Sequence, residues 1–206
     1  MAKNKKDLFH PRPYLSHSQM RLFDKNKEDF IQHYVYGKDT ISRFVKKYVE
    51  FGSKIHKQLE NEEPNVWNVL NKIPENYSEN EKNVNVEYCG VNVFGKWDVS
   101  RDDDLLVVGD YKTSKSKWSQ KEADKNEQLT LYGLQALLLY DRIPDYFYIH
   151  RIGVGERDDG SLYLTGEVQN LKTKRTEKEI NKMKMKVLDY WNKIGKLCGE
   201  ELNRIF

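Results

Sequence analysis

At 206 residues, with 33% charged and 38% hydrophobic residues and a mean hydropathy of −0.85, the chain has the size and apolar content of one globular domain. Aromatic residues at 12% exclude a disordered chain, and no run approaches the roughly 18 apolar residues of a spanning helix. A net charge of +3 falls short of a uniformly basic nucleic-acid-binding face, so any such surface must be local.

Residues 1–13 read as a flexible basic arm carrying Lys3, Lys5, Lys6 and Arg12 and closed by Pro11 and Pro13, with one domain over 14–206. The polar start, Met1 to Asp7, lacks the apolar core of a signal peptide. Cys89 and Cys198 are far apart and form no metal-ligand pair, which reads as two reduced thiols in a cytoplasmic protein. Ser16-His17-Ser18-Gln19 forms a capping-box pattern opening a helix with Met20, Phe23, Phe30, Ile31 and Tyr34 on its apolar side, ending near Gly37. A second helix is expected from Thr40 to Glu60, with Ile41, Phe44, Val45, Tyr48, Ile55 and Leu59 at helical spacing. Residues 61–83 read as a loop with a short helix at Val66–Leu70.

The period then changes. Val84–Tyr88, Val91–Ser100 and Leu105–Lys112 read as strands, the last two joined by a solvated turn at Arg101-Asp102-Asp103-Asp104. A largely buried helix over Asn126–Tyr140 precedes strands at Asp145–Ile152 and Ser161–Val168. A long amphipathic helix closes the chain, with Ile180, Met183, Val187, Trp191, Ile194, Cys198, Leu202 and Ile205 in register. The order α-α-β-β-β-α-β-β-α predicts a mixed α/β fold with a central sheet.

Asp110-Tyr111-Lys112 ends the apolar run Leu105–Gly109 and is the only Asp/Glu-x-Lys in the chain. In a strand, Asp110 and Lys112 share a face while Tyr111 points to the opposite layer. An acid and an amine together at the end of a buried strand are costly unless they pair or bind something. Asp98 stands on the preceding strand, where hairpin pairing can bring two carboxylates to one hard cation that polarises a phosphodiester and activates water. Lys112 would then add positive charge at the developing phosphorane. On this hairpin alone, a strand-end salt bridge between Asp110 and Lys112 reads equally well.

Gly95-Lys96-Trp97-Asp98 followed by Val107-Val108-Gly109-Asp110-Tyr111-Lys112-Thr113 resembles the core of RecB-like PD-(D/E)xK nucleases. Phe51-Gly52-Ser53-Lys54-Ile55-His56 is similar to the family's Gly-x-x-x-His helix motif, and Gln128-Leu129-Thr130-Leu131-Tyr132 to its Gln-x-x-x-Tyr motif. Tyr14-Leu15-Ser16-His17-Ser18 is like its usual opening helix start. The motif order extends over residues 14–170. The resemblance implies a restriction-endonuclease-like core, a central mixed sheet flanked by helices. It implies that His56, Asp98, Asp110 and the Tyr111 carbonyl ligate Mg²⁺ or Mn²⁺, with Asp98, Asp110 and Lys112 catalytic. Gln128 and Tyr132, four apart on one helical face, would point at the site or the DNA backbone, and Glu87 is similar to an acid at the start of the family's first core strand. The family's naming proline is replaced by Trp97. Some relatives, including CRISPR-associated exonucleases, hold an iron–sulfur cluster on four cysteines; two cysteines cannot, so no iron–sulfur cluster is expected.

The segment after the catalytic strand carries Lys115, Lys117, Lys121 and Lys125 around Trp118, a candidate backbone-binding loop with a ring available to stack a base. The resemblance implies a DNA exonuclease favouring single-stranded ends, in recombination, repair or phage DNA processing, with no membrane partner. The alternatives are a non-catalytic nucleic-acid-binding module of the same fold and a subunit active only beside a helicase or recombinase.

Overall fold

The computed structural model describes residues 8–74 and 76–204, apart from the side chains of Arg43 and Phe44. The arm lysines 3, 5 and 6, the stripe position Phe44 and the terminal Ile205 therefore lie outside the described residues.

Ser16 opens α1 (His17–Lys25) with a closed capping box: its Oγ accepts from Gln19 N at 3.4 Å, and Gln19 Oε1 accepts from Ser16 N at 2.7 Å. The single helix expected as far as Gly37 breaks at Asn26. That residue is extended, and its side chain accepts from Glu28 N and Asp29 N, capping a new turn, α2 (Lys27–Phe30), continued by a π-helical turn at Ile31–Val35. Asn offers the backbone a local acceptor that competes with the helix. Ser42 caps α3 (Arg43–Glu60), three residues later than expected. Its apolar stripe is buried only in the second half, at Ile55 and Leu59; Ile41 and Val45 stand 40% and 48% exposed, clear of the core. A short α4 (Trp67–Leu70) buries Val69.

Six strands form one mixed sheet: β1 (Leu15–Ser16), β2 (Glu79–Tyr88), β3 (Val91–Asp102), β4 (Leu106–Ser114), β5 (Tyr146–Glu156) and β6 (Leu162–Thr173). The spatial order is β1-β3-β4-β5-β6, with β2 also paired to β3. The β2–β3 hairpin turns through Cys89 and Gly90, both at positive φ, as a two-residue turn requires. Arg101 and Asp102 pair with Val107 and Leu106, so the turn narrows to residues 103–105, starting two residues later and ending one residue later than expected. Between parallel β4 and β5 the chain crosses through α5 (Gln120–Asp124) and α6 (Glu127–Tyr140).

Helix α6 is apolar on most sides because it lies between the sheet and the closing helix, α7 (Glu177–Leu202), where Ile180, Met183, Val187, Ile194 and Cys198 are buried. Gly95 on β3 lets α6 approach: a Cβ there would stand 2.5 Å from Gln135 Oε1. The buried Gln135 amide in turn accepts from Trp97 Nε1 and donates to Val84 O and Val93 O. Helices α3 and α4 cover the other face over Val99, Tyr111 and Ile152. Phe9 and His10, placed in the arm by sequence, are docked on α7: Phe9 N donates to Gly195 O, and the His10 ring stacks on Trp191 at 3.6 Å. The architecture is the mixed α/β one expected, a central mixed sheet flanked by helices. Among the described residues no helix is long and apolar enough to cross a membrane.

Candidate active site

The β3–β4 ladder ends at Val99↔Gly109. Beyond that pair β4 continues only with β5, while β3 continues with β2 and then takes β1 on the edge that β4 has left. Asp98 and Asp110 are the first residues past the fork, one on each diverging strand. Divergence deprives ladder groups of partners, and side chains supply them. Tyr111 N donates to Asp98 Oδ2 at 2.6 Å, and Lys96 O accepts from the Tyr132 hydroxyl at 2.6 Å.

Asp110 is 1% exposed. Lys112 Nζ lies 2.5 Å from its Oδ2 and is the charge partner of this buried oxygen. Lys112 Nζ also donates to Gln128 Oε1 at 3.0 Å, and Gln128 Nε2 to the Tyr132 oxygen at 2.6 Å. Gln128 and Tyr132, one turn apart on α6, thus position the lysine and border Asp110. Tyr111 points the other way, into the α3 layer, its ring edge-on to His56 with centroids 6.0 Å apart.

His56 reaches the fork from α3. Gly52, one turn earlier, lies so close to β4 that a Cβ would stand 2.9 Å from Thr113 Oγ1. This close packing brings His56 Nδ1 to 3.5 Å from Asp98 Oδ1. The structure thus gathers His56, Asp98, Asp110, Lys112, Gln128 and Tyr132 at one place.

Burial, reinforced by the Asp98 charge and opposed by Lys112 and His56, pushes the Asp110 carboxyl up to about 6. For His56, burial acts to lower the pKa but is outweighed by the Asp98 and Asp110 carboxylates, which raise it. Burial and the two aspartates raise the Tyr132 phenol well above its ordinary value, keeping it a neutral donor.

Two carboxylates and an adjacent carbonyl are donors that suit a hard divalent cation, and the imidazole adds a softer nitrogen beside them. The buried Asp110 carboxyl, raised by desolvation and by the Asp98 charge, fits that role. Among the described residues no three His, Cys, Asp or Glu side chains form a preformed cage.

Sequence reasoning missed the neighbours of Asp98. Glu81 stands level with it across the β2–β3 ladder, pairs with Lys96 and touches Glu60, whose carboxyl is raised by that contact. Together with His56 and Asp98 they line a cleft of about 430 Å³. The signal was present: counting residue pairs outward from the Cys89-Gly90 turn puts Glu81 opposite Asp98. Glu87 is instead exposed beside Asn92, six positions further along β2 and roughly 20 Å from that level.

The loop after β4 is not gathered at the fork. Lys115 pairs with Glu156 and lies over the Tyr48 ring, and Lys117 lines a separate cleft with Arg151 and Glu167. Trp118 is half-buried against the α6-side core, its backbone clamped by both ends of the Gln169 amide. An aromatic ring in a basic loop loses more by exposure than it gains in a polar setting, so it packs.

No family model and no curated protein matches the chain. Among solved structures, it is similar to a protein from Eubacterium rectale named "Putative exonuclease", at 12% identity and a TM-score of 0.49, covering 94% of this chain and 88% of that one. An alkaline exonuclease from Laribacter hongkongensis is similar at 11% identity and a TM-score of 0.41, covering 93% and 92%. The protein SSO0001 is similar at 16% identity and a TM-score of 0.42, covering 91% and 78%. At such identities and TM-scores these likenesses bear on neither activity nor substrate.

Proposed function

We propose that the chain is a Mg²⁺- or Mn²⁺-dependent DNA nuclease of the RecB-like PD-(D/E)xK kind, acting as an exonuclease on single-stranded ends. The observation that carries this reading is the strand fork, where the buried Asp110 carboxylate meets Lys112 with Asp98 and His56 alongside. A structural salt bridge gains little here, since Asp110 is taken fully out of water while its partner Lys112 stays 28% exposed, so the cost of desolvating the acid offsets much of the attraction. A carboxyl that burial raises toward neutrality beside a second aspartate is the kind of group a bound cation stabilises in its charged form.

Asp98, Asp110, His56 and the Tyr111 carbonyl would hold the cation, which when bound polarises the phosphodiester and lowers the pKa of a water. Lys112 keeps its ammonium beside Asp110, where charge develops as the phosphorus–oxygen bond forms. Gln128 fixes the lysine by its Oε1, and Tyr132 fixes Gln128. Helix α3, seated by Gly52, holds the imidazole against Asp98.

The test is cleavage of end-labelled single- and double-stranded DNA with Mg²⁺, Mn²⁺ or EDTA, beside Asp110→Ala and Lys112→Ala. Metal-dependent cleavage lost in both variants is expected. Binding without cleavage in any metal would replace this reading with a non-catalytic DNA-binding module or a partner-dependent subunit. Cleavage undiminished in both variants would remove these residues from the site.

A further inference from the structure

On the α6 side of the fork a second cleft, of about 290 Å³, opens between β1, the start of α1, the π-helical turn and α6. Tyr14, Tyr34 and Phe94 contribute aromatic rings to its wall, with Tyr14 and Phe94 centroids 5.0 Å apart. The Tyr14 and Tyr34 hydroxyls make no hydrogen bond to any described residue. Lys96, whose ammonium is paired with Glu81 on the neighbouring strand, and Gln128 line the same cleft. Gln128 is the residue that takes the Lys112 ammonium, and Lys96 also lines the His56–Asp98 cleft, so this space adjoins the reacting position. Among the described residues that line it, none carries a carboxylate. His17, at its edge, sits in the field of Lys112, Arg21 and Lys186, opposed by Glu127.

Aromatic rings beside a cationic track are what single-stranded nucleic acid requires: bases stack, in any sequence, while phosphates follow the charge. The volume, near the lower end of small-ligand pockets, is on the scale of one nucleotide. We propose that this cleft seats the base of the nucleotide flanking the scissile phosphodiester of single-stranded DNA, stacked on Tyr34 and the Tyr14–Phe94 pair, with Lys96 and Gln128 on its sugar–phosphate. The assignment rests on the nuclease reading and adds to it a reason for an open-strand preference.

The test couples protein to substrate. Affinity for short single-stranded oligonucleotides, each with one abasic position, is measured by fluorescence anisotropy in an Asp110→Asn background that leaves the DNA intact. Loss of one stack weakens binding about 5- to 150-fold. One abasic position should show that loss, Tyr34→Leu should show it with intact DNA, and the two combined should lose no more than either alone. Tyr34→Phe keeps the ring and should retain both the affinity and the abasic sensitivity. If Tyr34→Leu fails to fold, Tyr14→Leu carries the same expectation. Losses that multiply overturn the assignment. So does indifference to abasic sites at every position while the wild-type chain still cleaves, an outcome that leaves the nuclease reading standing. Absence of both DNA binding and cleavage overturns the two together.

Discussion

Replacing Asp110 by Asn should make the metal-free protein more stable while abolishing cleavage. Asp110 is buried, and its carboxyl is raised from 3.8 to about 6 chiefly by desolvation. A carboxyl raised on folding binds more protons in the folded state, so its contribution is neutral below the unfolded value. It becomes destabilising as pH rises toward the folded one. The full penalty at pH 8 is about 3 kcal/mol, and at pH 5 about half of that. Asn keeps the shape and cannot ionise, so in EDTA its advantage over the wild type should be about 3 kcal/mol at pH 8 and shrink toward pH 4. Urea denaturation at three pH values reads this directly. An Asn variant less stable than the wild type at pH 8 would refute the reasoning. The Asp110–Lys112 pair would then be a net stabilising salt bridge, and the case for a ligand at Oδ2 would lose its physical basis.

Gly52→Ala places a Cβ 2.9 Å from Thr113 Oγ1 and should cost about 1–3 kcal/mol, with a matching loss of cleavage as His56 is displaced. Thr113→Ala in the same chain should restore both, in thermal melts and nuclease assays alike; an unrestored double variant would show that α3 is seated elsewhere. Because His56 is raised above its ordinary 6.5 by Asp98 and Asp110, cation binding must displace its proton. Metal affinity by calorimetry should therefore fall as pH drops through and below the neutral range, with protons released on binding; a flat profile would exclude the imidazole as a ligand. Glu81→Ala should lower cleavage at limiting Mg²⁺, whereas Glu87→Ala should leave it unchanged; the reverse order would place the site at the wrong end of β2.

What could be read from the sequence was what depends on near neighbours. The Ser16–Gln19 box and the facing of Asp110 and Lys112 follow from local chemistry and strand alternation, and both appear in the structure. The apolar density of 126–140 announced α6. Features that depend on distant chain were hidden. Ile41 and Val45 repeat at helical spacing, which tells which face is apolar but not whether anything covers it. Asn26 suits a helix interior poorly and a cap well, and the choice falls to the packing of Phe23 against Phe30 and Tyr190 across the break. Motif resemblance names Glu87 and passes over Glu81, because it ignores register. Trp118 looked free because the loop around it is basic, but Gln169, far along the chain, holds it down.

On the proposed reading the fork serves both chemistry and structure. Once β3 leaves β4, Tyr111 N needs an acceptor, and Asp98 Oδ2 provides it. Leaving a buried amide unsatisfied costs about 1–3 kcal/mol. Asp98→Ala should therefore lose about that much stability as well as activity, and its inactivity alone would say nothing about chemistry. Asp98→Asn keeps an oxygen that can accept from Tyr111 N while losing the negative charge. If Asp98 serves catalysis through its charge, Asn should fold as well as the wild type in urea and fail to cleave. If instead its role is to close the fork, Asn should retain cleavage and only Ala should lose it. Measuring stability and turnover on both variants separates the two, because the backbone needs the oxygen and only the reaction needs the charge.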